Sequence, residues 1–143
     1  NFLSINMKAI VFSLLFILST HYIQAQSPVG NWKKISHTVE MNGQKIETHA
    51  ALRQQRPCVS KIVYEIKEDA SFRLNAAAAG CNEKYRNIQE KLYSKTQWKV
   101  VGDKISTSSS NFSISQTYVL SFSSNTMTWV GTEGQGTIVY QKL

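Results

Sequence analysis

Apolar and polar residues alternate along most of the chain, which is the pattern of half-buried β-strands. The clearest case is the stretch VSKIVYEIKEDASFRLNA, where two alternating runs flank a polar turn. If their apolar faces lie on one side of a hairpin, Ile66 pairs with Phe72 and residues 67–71 form the loop. The two faces consist of Ile62, Tyr64 and Ile66, and of Phe72 and Leu74.

The alternation returns in the second half of the chain, with turns predicted at residues 101–103, 123–125 and 133–135. The apolar faces there consist of Trp98, Val100, Ile105, Ile114, Tyr118, Leu120, Phe122, Met127, Trp129, Ile138 and Tyr140. With NWKKISHTV and a weaker QKIETHA, about eight to nine short strands are predicted. Helix is predicted only within EKYRNIQEKLY or briefly at ALRQQ. Such strands form a sandwich or a barrel, and closure removes exposed edges. We therefore expect an all-β, antiparallel up-and-down barrel of about eight strands with one short helix.

The first residues have the composition of an export signal. Met7 and Lys8 form a short charged start, AIVFSLLFIL is apolar, and Ile23 and Ala25 suit a cleavage site. Ten helical residues span about 15 Å, roughly half of a bilayer core, so we expect no transmembrane anchor. A buried N-terminal helix is the alternative. The predicted division is upstream, non-native residues at 1–6, a signal peptide at 7–25 and one mature domain at 26–143, secreted or periplasmic.

The chain has two cysteines, Cys58 and Cys81, and in an oxidising compartment such a pair indicates one disulfide. The hairpin register sets position 58 opposite 80, so a bulge near the open end would bring the two sulfurs together. Metal binding is the competing interpretation, but His37 and His49 do not supply the spacing of a metal site. Neither cysteine lies near the cleavage site, so we expect no N-terminal lipid anchor and no metal.

Charge and the remaining motifs narrow the function further. The formal net charge is +7, but the basic residues are scattered, which argues against nucleic-acid binding. No Gly-x-Ser-x-Gly elbow or glycine-rich phosphate loop is present. We interpret His37 and His49 as surface strand residues, and the acidic residues around the first hairpin as a solvated turn. We therefore expect neither an enzyme nor a cofactor.

Four motifs, in order along the chain, resemble those of small bacterial lipocalin-like domains. They are Gly30-Asn31-Trp32, YEIKEDASF, WKVVGDKI and SFSSNTMTW, and the two cysteines also fit that group. The resemblance spans Val29 to Leu143 and implies a lipocalin-type barrel whose base is closed by Gly30 and Trp32. The chain departs from the main lipocalins because it lacks their later Thr-Asp-Tyr motif and the arginine of their last strand. Lys142 is the only nearby cation, which places the chain among outlying members.

The resemblance also implies a cup that holds a small hydrophobic ligand, in a protein that we expect to be a monomer. The predicted ligand-binding residues are the large aromatics of the apolar faces: Tyr64, Phe72, Trp98, Tyr118, Trp129 and Tyr140. These rings could instead fill the core completely. In that case the chain would be a protein-interaction or inhibitor module acting through loops such as residues 76–93.

Overall fold

A computed structural model describes residues 26–143, and the predicted upstream residues and signal peptide lie outside them. The described residues form a nearly closed antiparallel barrel with two short helices. In chain order the elements are β1 (Gly30–Met41), β2 (Gln44–Glu47), α1 (Thr48–Gln55), a 3₁₀ turn (Pro57–Lys61), β3 (Val63–Ile66), β4 (Phe72–Asn75), α2 (Glu83–Leu92), β5 (Gln97–Val101), β6 (Lys104–Ser108), β7 (Gln116–Ser123), β8 (Thr126–Gly131) and β9 (Thr137–Lys142). The predicted all-β barrel is confirmed.

Eight strands form the wall of the barrel in the order β4, β3, β1, β9, β8, β7, β6 and β5, while β2 pairs only with β1. The two ends of this path meet at a seam between β4 and β5. Two backbone hydrogen bonds cross the seam, from Phe72 N to Thr96 O and from Trp98 N to Ala70 O, each 2.9 Å long. Most backbone groups are therefore paired around the barrel, as closure predicts.

The β3–β4 hairpin has the predicted register, because Ile66 pairs with Phe72 and Tyr64 with Leu74. Its loop is residues 67–71, and the three later predicted turns also separate strands. Period-two alternation fixes such a register strongly, since a slip of one residue would expose the apolar face.

The Cys58–Cys81 disulfide is confirmed, with the two Cα atoms 5.2 Å apart. The predicted bulge is wrong. Cys58 lies in the 3₁₀ turn and Cys81 lies between β4 and α2, so the ladder has ended before either cysteine. Pro57 explains the difference, since proline lacks a ladder donor and suits the first turn of a helix.

The strand prediction around Ile114 is also wrong, because β7 begins only at Gln116 and Ile114 is 78 % exposed. Serine side chains form hydrogen bonds with the backbone here instead. The Ser108 hydroxyl accepts from Phe112 N at 3.0 Å, and the Ser110 hydroxyl accepts from Ile114 N at 3.1 Å. Such local bonds compete with a strand ladder and produce a compact turn.

Two helices form where the sequence predicted one. Glu47 caps α1, and its carboxylate accepts from His49 N at 3.0 Å and from His37 N at 2.7 Å. His49 is therefore a buried helical residue, not the surface strand residue that the sequence predicted. Asn82 caps α2, which forms within the stretch EKYRNIQEKLY, where helix was predicted.

The core is continuous through the barrel, and Trp129, Ile105 and Met127 are its largest fully buried side chains. Trp32 is 2 % exposed, and its indole N–H donates to the Pro28 carbonyl at 2.8 Å. The Lys142 ammonium, which the sequence singled out as the only nearby cation, lies 5.9 Å from the centroid of the Trp32 ring.

Candidate functional site

The barrel encloses a cavity of about 480 Å³ that reaches from the aromatic core to solvent. Its floor is buried and formed by Phe72, Trp129, Ile138 and Tyr140. Its mouth is formed by exposed residues around the turn between β6 and β7, including Ser109, Ser110, Ile114, Ser115 and Gln116. Small-molecule sites measure roughly 300–1,000 Å³, so the cavity falls within their range.

The floor is a connected aromatic cluster centred on Trp129. The Trp129 ring centroid lies 5.2 Å from that of Tyr140, 5.3 Å from Tyr118 and 5.8 Å from Phe72. These separations and the tilts between the rings are those of favourable aromatic pairs. The floor is therefore held together by its own aromatic contacts.

A β-bulge in β1 brings two basic residues to the cavity. The pairing of β1 with β9 shifts between Lys34 and Ser36, so Lys34 lies opposite Tyr140 and His37 lies opposite Ile138. Without the bulge, alternation would direct position 36, not 37, to the same face as Lys34. Both Lys34 and His37 line the cavity as a result.

The Lys34 ammonium has no acidic partner. Among residues 26–143, the only ion pair is the exposed one between Lys104 and Asp103. The Lys34 Nζ instead lies 5.0 Å from the centroid of the Tyr64 ring. Burial lowers the pKa of Lys34 to about 8, so the ammonium remains mostly protonated at neutral pH.

Three polar groups near the floor have defined protonation or bonding states. The Trp129 Nε1 is buried and has no hydrogen-bond partner among the described residues. Burial raises the pKa of Tyr140 well above its usual value, and neighbouring tyrosines raise it further, so its phenol stays neutral. The His37 Nε2 lies 2.8 Å from the Gln135 carbonyl, which can only accept, so this nitrogen carries the proton.

Ser108 organises the mouth of the cavity. This buried hydroxyl accepts from Ser110 N at 3.1 Å and from Phe112 N, and it donates to the Ile114 carbonyl. Asn111 and Phe112 adopt positive φ angles of 52° and 63°, which the turn requires. The Lys99 ammonium, 4.3 Å from the Phe112 ring centroid, covers the outside of this turn.

The six predicted ligand-binding residues separate into two groups. The cavity brings together Phe72, Tyr118, Trp129 and Tyr140. Tyr64 lies in the core beside them, with its ring 5.5 Å from that of Tyr140. Trp98 lies at the seam, where its indole donates to the Lys67 carbonyl at 2.8 Å, and it does not line the cavity. A ligand-binding role for any of the six remains a prediction.

Lys34 and His37 were not among the predicted site residues. Lys34 left a signal in the sequence, because it lies two positions after Trp32 and so on the same face of the strand. His37 left none, since its direction depends on the bulge. Bulges insert one residue without any characteristic composition.

Neither a metal site nor a serine bonded to a histidine occurs at the cavity among the described residues. No group of three or more His, Cys, Asp or Glu residues that could hold a metal occurs in the part of the chain that the structure describes. Ser108 bonds to backbone groups and to Ser110, with no histidine within hydrogen-bonding distance among those residues. That no catalysis occurs remains a prediction.

The described residues also contain no helix that is both long and apolar enough to span a bilayer. In comparisons with known proteins, no family model, curated protein or solved structure matches this chain. The barrel and its disulfide are therefore findings of the structure, whereas kinship with the lipocalins remains a prediction from the four sequence motifs.

Proposed function

We propose that this chain is an exported, lipocalin-like binding protein that holds one small, largely apolar molecule in its barrel without catalysis. The observation that carries the proposal is the cavity of about 480 Å³, with an aromatic floor and a mouth open to solvent. Burying a guest against that floor yields about 25 cal/mol per Å² of apolar surface, before the cost of ordering it. Export is supported by the disulfide, which persists in oxidising compartments.

A blocking variant tests this function directly. Thr107 lines the cavity from β6, so Thr107→Trp places a large ring inside it. Val130 on β8 does not line this cavity and is 43 % exposed, which makes Val130→Trp the matched control. With the neutral dye N-phenylnaphthylamine, we expect saturable fluorescence enhancement in the wild-type protein and in Val130→Trp.

The same titration with Thr107→Trp should show at least about a tenfold weaker affinity, because the added ring occupies the volume of the dye. Circular dichroism must show that both variants keep the β-sheet spectrum. Equal dye affinity in the folded Thr107→Trp variant would refute binding within the barrel.

A second candidate function is a protein-interaction module acting through residues 76–93. It is favoured by Ile88 and Leu92, which lie one turn apart on α2 and are 49 % and 63 % exposed. A stable partner that binds there should be lost in the Ile88→Ser/Leu92→Ser double variant. Co-purification that is unchanged by this pair would refute the surface.

A further inference from the structure

The side chains that line the cavity carry positive but no negative charge. Lys34 supplies an ammonium, and no aspartate or glutamate is among the lining residues. The Glu47 carboxylate, at the end of β2, accepts backbone N–H groups of His37, His49 and Ala50. It is therefore occupied as a helix cap and not as a partner of Lys34.

The unpaired donors lie beside an apolar floor. Lys34 has three N–H donors and no acceptor, and the Trp129 indole has one donor and no acceptor. The Trp129 Nε1 is buried without a partner, in a residue that is 2 % exposed and lines the cavity. The Trp129 Nε1 has almost no accessible surface, so the Lys34 ammonium is the unpaired donor that a guest in the cavity can reach.

We propose that the guest is an amphiphilic organic acid, whose anionic group binds the Lys34 ammonium while its apolar part packs on the aromatic floor. This inference rests on the proposed function, because it assumes that the cavity is a binding site. A charge-assisted hydrogen bond to an ammonium is stronger than a neutral one, which gives an acid its advantage over an alcohol of the same shape.

The electrostatic surroundings of Lys34 agree with this assignment. Tyr64 of β3 and Tyr140 of β9 lie beside it as neutral phenols, since burial raises both of their pKa values. His37 is the other basic residue of β1 that lines the cavity. Burial lowers the pKa of His49 on α1, and the Lys34 charge lowers it further, so His49 is neutral. Lys34 is therefore the one lysine or arginine side chain that an anion would meet in the cavity.

Matched acids and alcohols test the inference by isothermal titration calorimetry. The probes are octanoate with octanol, dodecanoate with dodecanol, and naphthoate with naphthalenemethanol, at about pH 7 where carboxylic acids are ionised. We expect the best acid to bind at least about tenfold more tightly than its alcohol. Lys34→Met should remove that preference while alcohol binding remains. Lys33→Met should retain it, because Lys33 lies on the other face of β1.

A pH series gives a second measurement that needs no variant. In the free protein Lys34 loses its proton as the pH passes about 8, and a bound anion raises that pKa. The affinity for the acid should therefore fall as the pH rises from about 7 to about 10, while the affinity for the alcohol stays constant.

The outcomes separate this inference from the function on which it rests. Equal affinities for acid and alcohol in the wild-type protein, or an acid preference that survives in Lys34→Met, would overturn the anionic guest and leave the binding function intact. Absence of binding by every probe, together with no dye binding, would overturn both.

Discussion

At the residue scale, Lys34 is a lysine that folding places inside the barrel. Its ammonium lies within the barrel beside the Tyr64 ring and has no carboxylate partner among the described residues. Burial favours the uncharged form, so folding opposes the charge that Lys34 carries at neutral pH. On the proposed function, this unpaired charge is the one that would bind the anionic group of a guest.

Lys34→Met should therefore stabilise the empty protein. Because the pKa of Lys34 is about 8 in the folded protein and its ordinary value is 10.5, the unfolded chain binds more protons between these pH values. The contribution of Lys34 to the free energy of unfolding therefore rises with pH between about 8 and about 10.5. Lys34 destabilises the folded protein most below pH 8, where it is charged in both states. We expect a gain of about 2 kcal/mol at pH 7, discounted for partial exposure. Urea unfolding of both proteins at several pH values measures it. A variant that is less stable than the wild type at neutral pH would contradict this account.

Gly30 is the residue whose backbone most constrains the start of β1. Its φ is +147°, while an added Cβ would meet only ordinary contacts at 3.6 Å with Lys142 and Trp32. The effect of Gly30→Ala therefore comes from backbone strain, and we expect a loss of about 1–3 kcal/mol. The exposed neighbour Asn31 provides the control, because Asn31→Ala should change stability by less than about 0.5 kcal/mol. Similar urea midpoints for the two variants would show that Gly30 is not required for this conformation.

At the element scale, the disulfide links the two ends of the β3–β4 hairpin. Cys58 and Cys81 are 23 positions apart. Closing a loop of this length lowers the entropy of the unfolded chain and thereby stabilises the fold by about 3 kcal/mol. Cys58→Ser/Cys81→Ser should lower the free energy of unfolding by about that amount, and a reducing agent should not destabilise this variant further. An unchanged urea midpoint would show that the hairpin needs no covalent link.

The β3–β4 hairpin, two turns and the bulge in β1 show which local features the sequence could predict and which it could not. The pairing of Ile66 with Phe72 was predictable because two alternating faces must both point inward. The 3₁₀ turn at Pro57 and the turn at residues 109–115 were not, because local proline and serine chemistry outcompeted the ladder there. The position of His37 depends on a bulge, so alternation alone could not find that part of the site.

At the scale of the whole molecule, the barrel depends on its seam. The Arg73 Nη1 donates to the carbonyls of Thr96 at 2.7 Å, Phe72 at 3.0 Å and Tyr93 at 3.2 Å. This guanidinium therefore joins β4 to the segment that leads into β5, where the ladder itself is sparse. The aromatic floor needs this closure because Phe72 is the first residue of β4.

Arg73→Met should weaken the contact between β4 and β5 while leaving the hydrophobic core packed. Loss of charge-assisted hydrogen bonds predicts a destabilisation of about 2 kcal/mol, with faster amide exchange at Phe72 and Trp98. Lys104→Met removes a surface cation whose ion pair is exposed, and it should have little effect on either measurement. Unchanged exchange at both amides would show that Arg73 does not hold the seam.

Much of the whole-molecule architecture was predictable, whereas the site was predictable only in part. Alternation and closure predicted the barrel, and large aromatics on apolar faces predicted much of the cavity floor. Trp98 carried the same pattern and packs against the core, but it lies on the end strand β5 at the seam, where its indole bonds to the Lys67 carbonyl, and it does not line the cavity. The sequence pattern indicates which face of a strand is apolar, but it does not indicate which residues of that face line a cavity.

The central claim is that the barrel holds a small molecule, and native mass spectrometry of protein purified from its own exported fraction without detergent tests it most directly. We predict an oxidised protein carrying an adduct near a one-to-one ratio, extractable into organic solvent and absent from Thr107→Trp. A bare oxidised mass in the wild-type protein, or an adduct that persists in folded Thr107→Trp, would contradict the account.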